Sequence, residues 1–313
     1  MTSKVNFLKV LFALTAVLTA IPAVAGEKIR VTTTLPELAE IVRKIGGPDV
    51  EVKALMEGTE DVHFMEALPS FAVQVANSDI VCVAGLELEA SWMPKILSKS
   101  GNSKVQPGGS GYCDASLKVT PLEKPTGPID RSMGDIHPLG NPHYHLSPLA
   151  LSDASKSIFE SLAKAKPEHR QIYAKAQAEF MKQMADLHKR IQAKLKVLTE
   201  QPKKTLVIEF HREFVYFFAA YGISSLGAIE EKPGVPPSAA RLAERAKEAK
   251  AAGVKLALGA LHSPERHLQK FQELSGIPYK RVPVMVQRSG GADSIEKLQD
   301  LLADTMINGT RAR

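Results

Sequence analysis

Neutral imidazole suits zinc and its neighbours among the divalent transition metals, and this chain carries nine histidines in 313 residues. Three stand out by position. His63 closes Glu60-Asp61-Val62-His63, just beyond a strand-like run that ends near Met56. His211 directly follows the apolar run Thr205 to Phe210, and His143 lies in Asn141-Pro142-His143-Tyr144-His145, at the end of a long irregular stretch. Ligands of open α/β sheets bind beyond the carboxyl ends of the strands, so His63 and His211 fall where binding groups belong. Three imidazoles converging on a cleft would hold a borderline-soft cation such as zinc. Each also has a plainer reading. A histidine after a strand often serves only as a polar cap, and two histidines at i and i+2 in a loop are a weak ligand signature. The residue types alone leave the site open.

The other candidates read more simply. His137 and His145 flank His143 and could recruit metal or merely pack against the surface. His262 precedes a helix expected to start with Ser263 as cap and Pro264 at its first position, and His267 lies within it, so both read as structural. His169 and His188 fall on a long helical pattern as exposed residues. Trp92 and the Phe214, Tyr216, Phe217, Phe218, Tyr221 cluster read as core. Cys82 and Cys113 are too isolated for a structural zinc motif, although in an oxidising compartment an even pair can join as a disulfide. Three histidines and a water are also the ligand set of catalytic zinc. A zinc hydrolase is therefore a rival reading, with Glu209 or Glu213 near enough in sequence to His211 to serve as base, but no His-Glu-x-x-His motif occurs. A metal chaperone without a transporter is another.

Alternating elements must position these groups. Lys28 to Thr34, Val50 to Met56 and Asp79 to Ala84 are strand-like, and Leu35 to Ile45, Pro69 to Asn77 and Glu87 to Lys99 have helical spacing. Gly101 to Pro148 is rich in Gly and Pro with weak periodicity. From Pro167 to about Gln201 one helical pattern puts Ile172, Ala176, Phe180, Met184, Leu187, Ile191, Leu195 and Leu198 on one stripe. At 1.5 Å per residue it would span about 50 Å, which fits a spacer better than part of one small domain. Strands then return at Thr205 to Phe210, Val254 to Leu261 and Ile277 to Val286, between helices over Glu213 to Tyr221, Ser238 to Ala252 and Ser294 to Ile307. Strands alternating with helices predict parallel sheets. The expected fold is two α/β lobes bridged by one long rigid helix, with the metal site in the cleft between them. The expected division is a signal peptide over 1–25, an N-terminal lobe over 26–165, a connector over 166–202 and a C-terminal lobe over 203–313.

Lys4 and Lys9 precede an apolar run from Val10 to Val24 that ends in Ala23-Val24-Ala25, the pattern of a secretory signal peptide cut after Ala25. Gly26 rather than a cysteine directly follows that point, so a protein free in the periplasm, without lipid anchor, is expected. No later stretch is long and apolar enough to span a bilayer. The formal charge of +6 is dispersed among glutamates on helix faces, which argues against nucleic-acid binding.

The chain resembles the zinc/manganese-type solute-binding proteins of ABC importers over nearly its whole mature length. The resemblance rests on Asp61-Val62-His63-Phe64-Met65-Glu66 followed by Pro69-Ser70, and on Ala84-Gly85-Leu86-Glu87-Leu88-Glu89 ahead of Trp92. It continues through Asn141-Pro142-His143 with Leu146-Ser147-Pro148, the long helix, Ile208-Glu209-Phe210-His211 before Phe214 to Tyr221, and the proline-containing loop Glu231 to Ser238. It implies the same two-lobed fold, a monomer that docks on a membrane ABC permease, and metal ligands at His63, His143 and His211. A histidine at the third position resembles the zinc branch rather than the manganese branch. The family commonly adds an Asp late in the chain, where this sequence reads Arg281-Val282-Pro283-Val284-Met285-Val286-Gln287 with no acid. The fourth position is left to water, His137, His145, Glu66, Glu230 or Asp293.

Overall fold

The computed structural model describes residues 27–127, 134, 137–201, 205–230, 232, 234–288 and 290–311. The expected signal peptide lies outside the described residues. No helix among the described residues is long and apolar enough to cross a membrane.

Two four-stranded parallel sheets form, as the alternation predicts. The first contains β1 (Ile29–Thr33), β2 (Val50–Ala54), β3 (Ile80–Val83) and β4 (Tyr112–Asp114) in the order β2-β1-β3-β4. The second contains β5 (Leu206–Glu209), β6 (Ser224–Ala228), β7 (Leu256–Ala260) and β8 (Tyr279–Val282) in the equivalent order β6-β5-β7-β8. In each sheet the strand order reverses beside the first strand, and a crevice opens at such a point beyond the carboxyl ends. The central strand β3 is buried at every position, as a parallel strand covered on both faces must be.

Helices α1 (Pro36–Gly46), α2 (Pro69–Ala76), α3 (Met93–Ser100) and α4 (Pro148–Ala165) belong to the first lobe. The connector is α5 (Arg170–Thr199), preceded by a 3-10 turn at Pro167–His169. The second lobe has α6 (Val215–Tyr221), α7 (Ala239–Ala252), α8 (Glu265–Ser275) and α9 (Ile295–Arg311). Helix α5 packs against α1 and α4 on one side and α6 and α9 on the other. Its buried stripe is Tyr173, Phe180, Met184, Leu187, Ile191, Leu195 and Leu198, while Ile172 points outward at 61% exposure. One apolar cluster runs from the first lobe through α5 into the second, so the connector is part of a shared core.

Several expectations are corrected. The helix expected from Glu87 begins only at Met93, because Leu86 and Glu87 take positive φ of 52° and 65°. That turn buries the Glu89 carboxylate, which accepts from Thr34 Oγ1 at 2.5 Å and from the Ala84 and Gly85 amides at 2.7 and 3.2 Å. The stretch from 101 holds strand β4, too short for periodicity to reveal. Helix α4, capped by Ser147, and strand β6 are further additions to the expected elements. The last strand stops at Val282, and residues 284–288 cross to the first lobe. Helix α8 starts at Glu265 without a side-chain cap, so Ser263 does not cap it. Cys82 and Cys113 are register partners on β3 and β4 and are buried free thiols.

The crossing segment ties the lobes together. The Val286 amide donates to Glu37 Oε1 at 2.5 Å, and Gln287 Nε2 donates to the Gly58 carbonyl at 3.0 Å. Gly58 has φ +96°, and a Cβ there would lie 2.1 Å from the Val286 carbonyl oxygen. Only glycine combines that backbone with such an approach.

Candidate metal site

The exits of β2 and β5 and the segment before α4 meet at one point between the lobes. His63 is placed by the turn after β2, where its amide donates to Asp61 Oδ1 at 2.9 Å. Ser91 Oγ donates to the His63 carbonyl, and Trp92 Nε1 donates to that of Val62 at 2.8 Å. His143 is placed by Asn141, whose Oδ1 accepts the His143 amide at 3.0 Å while its Nδ2 reaches the Arg212 carbonyl at 2.7 Å. That side chain therefore stitches the His143 loop to the one carrying His211. Tyr144 and Tyr216 lock the same loop, donating to the carbonyls of Ala84 at 2.8 Å and Asn141 at 2.9 Å.

The three imidazoles each offer a donor atom, all within 4.8 Å of one another. His63 and His143 approach through Nε2, 3.2 Å apart. Ring centroids lie 5.1 Å apart for His63–His143, 5.4 Å for His63–His211 and 5.7 Å for His143–His211. A tetrahedral ion with Zn–N bonds of about 2.05 Å sets neighbouring donors about 3.3 Å apart. The His63–His143 spacing matches that edge, and the His211 donor lies within 4.8 Å of both, so three imidazoles are gathered where one cation could draw them together.

The electrostatics differ among the three. Burial holds the His143 imidazole well below its ordinary range, so it is neutral. Burial pushes His211 down too, but the Glu230 hydrogen bond and the Glu213, Glu230 and Asp61 carboxylates outweigh it and raise its pKa. Glu230 Oε2 stands 2.9 Å from His211 Nδ1 and also accepts the Gly234 amide at 3.2 Å, leaving Nε2 as the remaining donor of His211.

Two of the candidates for a fourth position, His145 and His137, stay beside the triad, and the others are exposed or engaged elsewhere. His145 is buried with Nε2 on the Val284 carbonyl at 3.0 Å, and burial lowers its pKa to about 4. His137 is half-buried, its ring 5.2 Å from that of His63. Glu66 is exposed, and exposed Asp293 pairs with Lys297 Nζ at 2.8 Å. Glu230 works from behind His211. Val284 and Val286, in the segment where the family carries its late Asp, spend their main chain on His145 and Glu37.

Two participants take other places than the reading by sequence assigns them, His262 as a structural residue and Glu213 only as a candidate hydrolytic base. His262, which reads there as structural, places Nε2 2.9 Å from Glu213 Oε1 and 3.9 Å from Asp61 Oδ2. Glu213 is 1% exposed. Burial pushes its carboxyl up, but the His262 hydrogen bond and the nearby His262, His211 and His63 imidazoles bring it below the ordinary carboxylate range. Its only sequence signal is its place two residues after His211. His169 bonds Asp49 and His188 stacks on Tyr221 at 5.2 Å, both away from the site.

The family described as zinc-uptake complex component A, periplasmic (ZnuA) matches residues 31–307. The chain belongs to the ZnuA family. Among curated relatives, the zinc-binding lipoprotein AdcA of Streptococcus pneumoniae is 24% identical over 221 residues, 70% of this chain and 42% of AdcA. The chain thus spans less than half the length of that relative. The iron ABC transporter substrate-binding lipoprotein MtsA of Streptococcus pyogenes is 24% identical over 280 residues, 87% of this chain and 84% of MtsA. Among solved structures, a zinc-bound ZnuA deletion mutant superposes with a TM-score of 0.75 at 23% identity, covering 92% of this chain and 100% of that one. The periplasmic zinc-binding protein TroA of Treponema pallidum gives 0.75 at 20% identity, with 91% and 100% covered. These neighbours share the two-lobed α/β fold. The ZnuA family is one of solute-binding proteins rather than enzymes, and the hydrolase reading gains no support from it.

Proposed function

We propose that this protein captures a divalent transition metal in the periplasm and delivers it to a membrane ABC permease, with His63, His143 and His211 as the protein ligands. The observation that carries this reading is the 3.2 Å approach of the His63 and His143 Nε2 atoms, with a His211 donor in the same group. Family membership supports capture and handover. Zinc is the preferred cargo, because an all-imidazole donor set is softer than the carboxylate-rich sites that suit manganese. The names of the relatives, which include iron and zinc binders, support a divalent metal in general. We further propose that the chain works as a monomer, divided at 26–165, 166–202 and 203–313, and that residues 1–25 direct its export.

The shared core along α5 and the Glu37–Val286 and Gln287–Gly58 links oppose a wide hinge. Release then proceeds by loop movement or slight lobe shifts on docking. The test is a zinc titration of the metal-stripped mature protein with elemental analysis. One tightly bound equivalent is expected, lost in His143→Ala and in His211→Ala. Unchanged binding in both variants would overturn the assignment.

A further inference from the structure

We propose that Glu213 is the site's carboxylate, accepting a hydrogen bond from a water on the fourth position of the cation, and that His262 positions it for this. The proposal rests on the three-histidine reading above. Glu213 lies in the turn between β5 and α6, where its amide donates to the His211 carbonyl at 2.8 Å. That bond folds the chain so that the carboxylate is buried beside the imidazoles. Its Oε1 is occupied by His262 Nε2 at 2.9 Å. Its Oε2 is just as inaccessible and has no hydrogen-bond partner among the described residues. A buried carboxylate oxygen left bare costs free energy unless something donates to it.

The surroundings narrow what that donor is. The three imidazole donor atoms form a group within 4.8 Å that includes no oxygen of Glu213, so it is not placed as a direct ligand. A water bonded to the ion and hydrogen-bonded to a carboxylate is bent at its oxygen and spans about 4 Å from ion to carboxylate oxygen. The other acids near the triad are committed: Glu230 Oε2 to His211 and the Gly234 amide, and Asp61 Oδ1 to the His63 amide. Three neutral imidazoles leave the ion's charge uncompensated in a buried cleft, and an anion one water away reduces that cost. His262 keeps the carboxylate from turning to another donor.

The test compares Glu213→Gln with His143→Ala, by zinc affinity in a chelator competition and by the visible spectrum of the cobalt-loaded protein. Glu213→Gln should still bind one equivalent, with affinity lowered about 10- to 100-fold and an altered cobalt spectrum. Native affinity and an unchanged spectrum in Glu213→Gln, with binding lost in His143→Ala, would overturn the proposal and leave the metal-capture reading standing. Binding retained by His143→Ala and His211→Ala would instead overturn that reading. Since Glu213→Gln leaves His262 without its buried partner, the double variant Glu213→Gln, His262→Gln supplies the same readouts if the single one does not fold. A crystal structure of the zinc-loaded native protein decides independently. Oε2 within hydrogen-bond distance of a zinc-bound water is expected, and a protein side chain in the fourth position would refute it.

Discussion

Glu230 Oε2 stands 2.9 Å from His211 Nδ1 and thereby selects which nitrogen of His211 remains for a cation. Partners behind a ligating imidazole fix its tautomer and orientation, and their loss typically costs about 10- to 100-fold in metal affinity. Glu230→Gln should therefore weaken zinc binding within that range at pH 7 while keeping one equivalent. His211→Ala should cost more than Glu230→Gln. Competition against a chromophoric chelator measures both.

The same contact shapes the response to acid. A protonated imidazole cannot ligate. The His211 pKa is raised above its ordinary 6.5, so protons compete for it at a higher pH than for a free imidazole. His143, held well below 6.5 by burial, needs no proton removed near neutrality. Zinc affinity should begin to fall above pH 6.5 and decline steadily toward pH 5. In Glu230→Gln the fall should begin at lower pH, so its deficit against native protein narrows on acidification. Titrations at half-unit steps from pH 5 to 8 check this.

Glu37 links stability to pH in the opposite sense. Burial raises its pKa from 4.5 to about 8, so the folded protein keeps it protonated where the unfolded chain ionises. Its contribution is fully present below 4.5 and is lost as pH rises through about 8. Each tenfold difference in proton affinity between the folded and unfolded chain is worth ~1.4 kcal/mol, so the loss is on the order of a few kcal/mol. Urea unfolding should show native stability declining from pH 5 to 9, and Glu37→Gln should flatten that decline.

Asp49 anchors the start of the connector. Lys166 Nζ donates to it at 2.7 Å and Tyr173 Oη at 2.9 Å, with His169 Nδ1 also bonded. Burial alone would push its carboxyl up, but these bonds bring it down to about 2. Its contribution is present above 3.8 and disappears as pH falls through 2. Asp49→Ala should lower unfolding stability by about 1–3 kcal/mol at pH 7, with a smaller difference at pH 2.5.

Cys82 and Cys113 are 1% and 2% exposed, and burial raises the Cys82 thiol well above its ordinary pKa. Thiols that reagents cannot reach react slowly. A thiol reagent should label neither in the native protein and both after unfolding without reductant. One disulfide and no labelling of the unfolded chain would contradict the free-thiol assignment.

The sequence by itself determined the parallel α/β alternation, the amphipathic stripe of α5 and the position of His63 and His211 just past strand ends. All three depend on local periodicity and on short-range chain punctuation, which a linear pattern carries. It could not show that α4 covers the sheet or that β4 and β6 exist, since short strands and small-residue helices leave little periodic signal. Only the tertiary structure decided which nitrogens face one another, that Glu230 backs His211, and that His262 belongs with Glu213 rather than with its own helix. Those contacts join residues from different loops, as do His145 with Val284 and Glu37 with Val286, and they exist because sheet order and the shared core along α5 bring the strand exits together. Burial then set the proton affinities. The same imidazole chemistry gives a neutral His143 and a more readily protonated His211 because burial and neighbouring histidines act on the first, while carboxylates outweigh burial at the second.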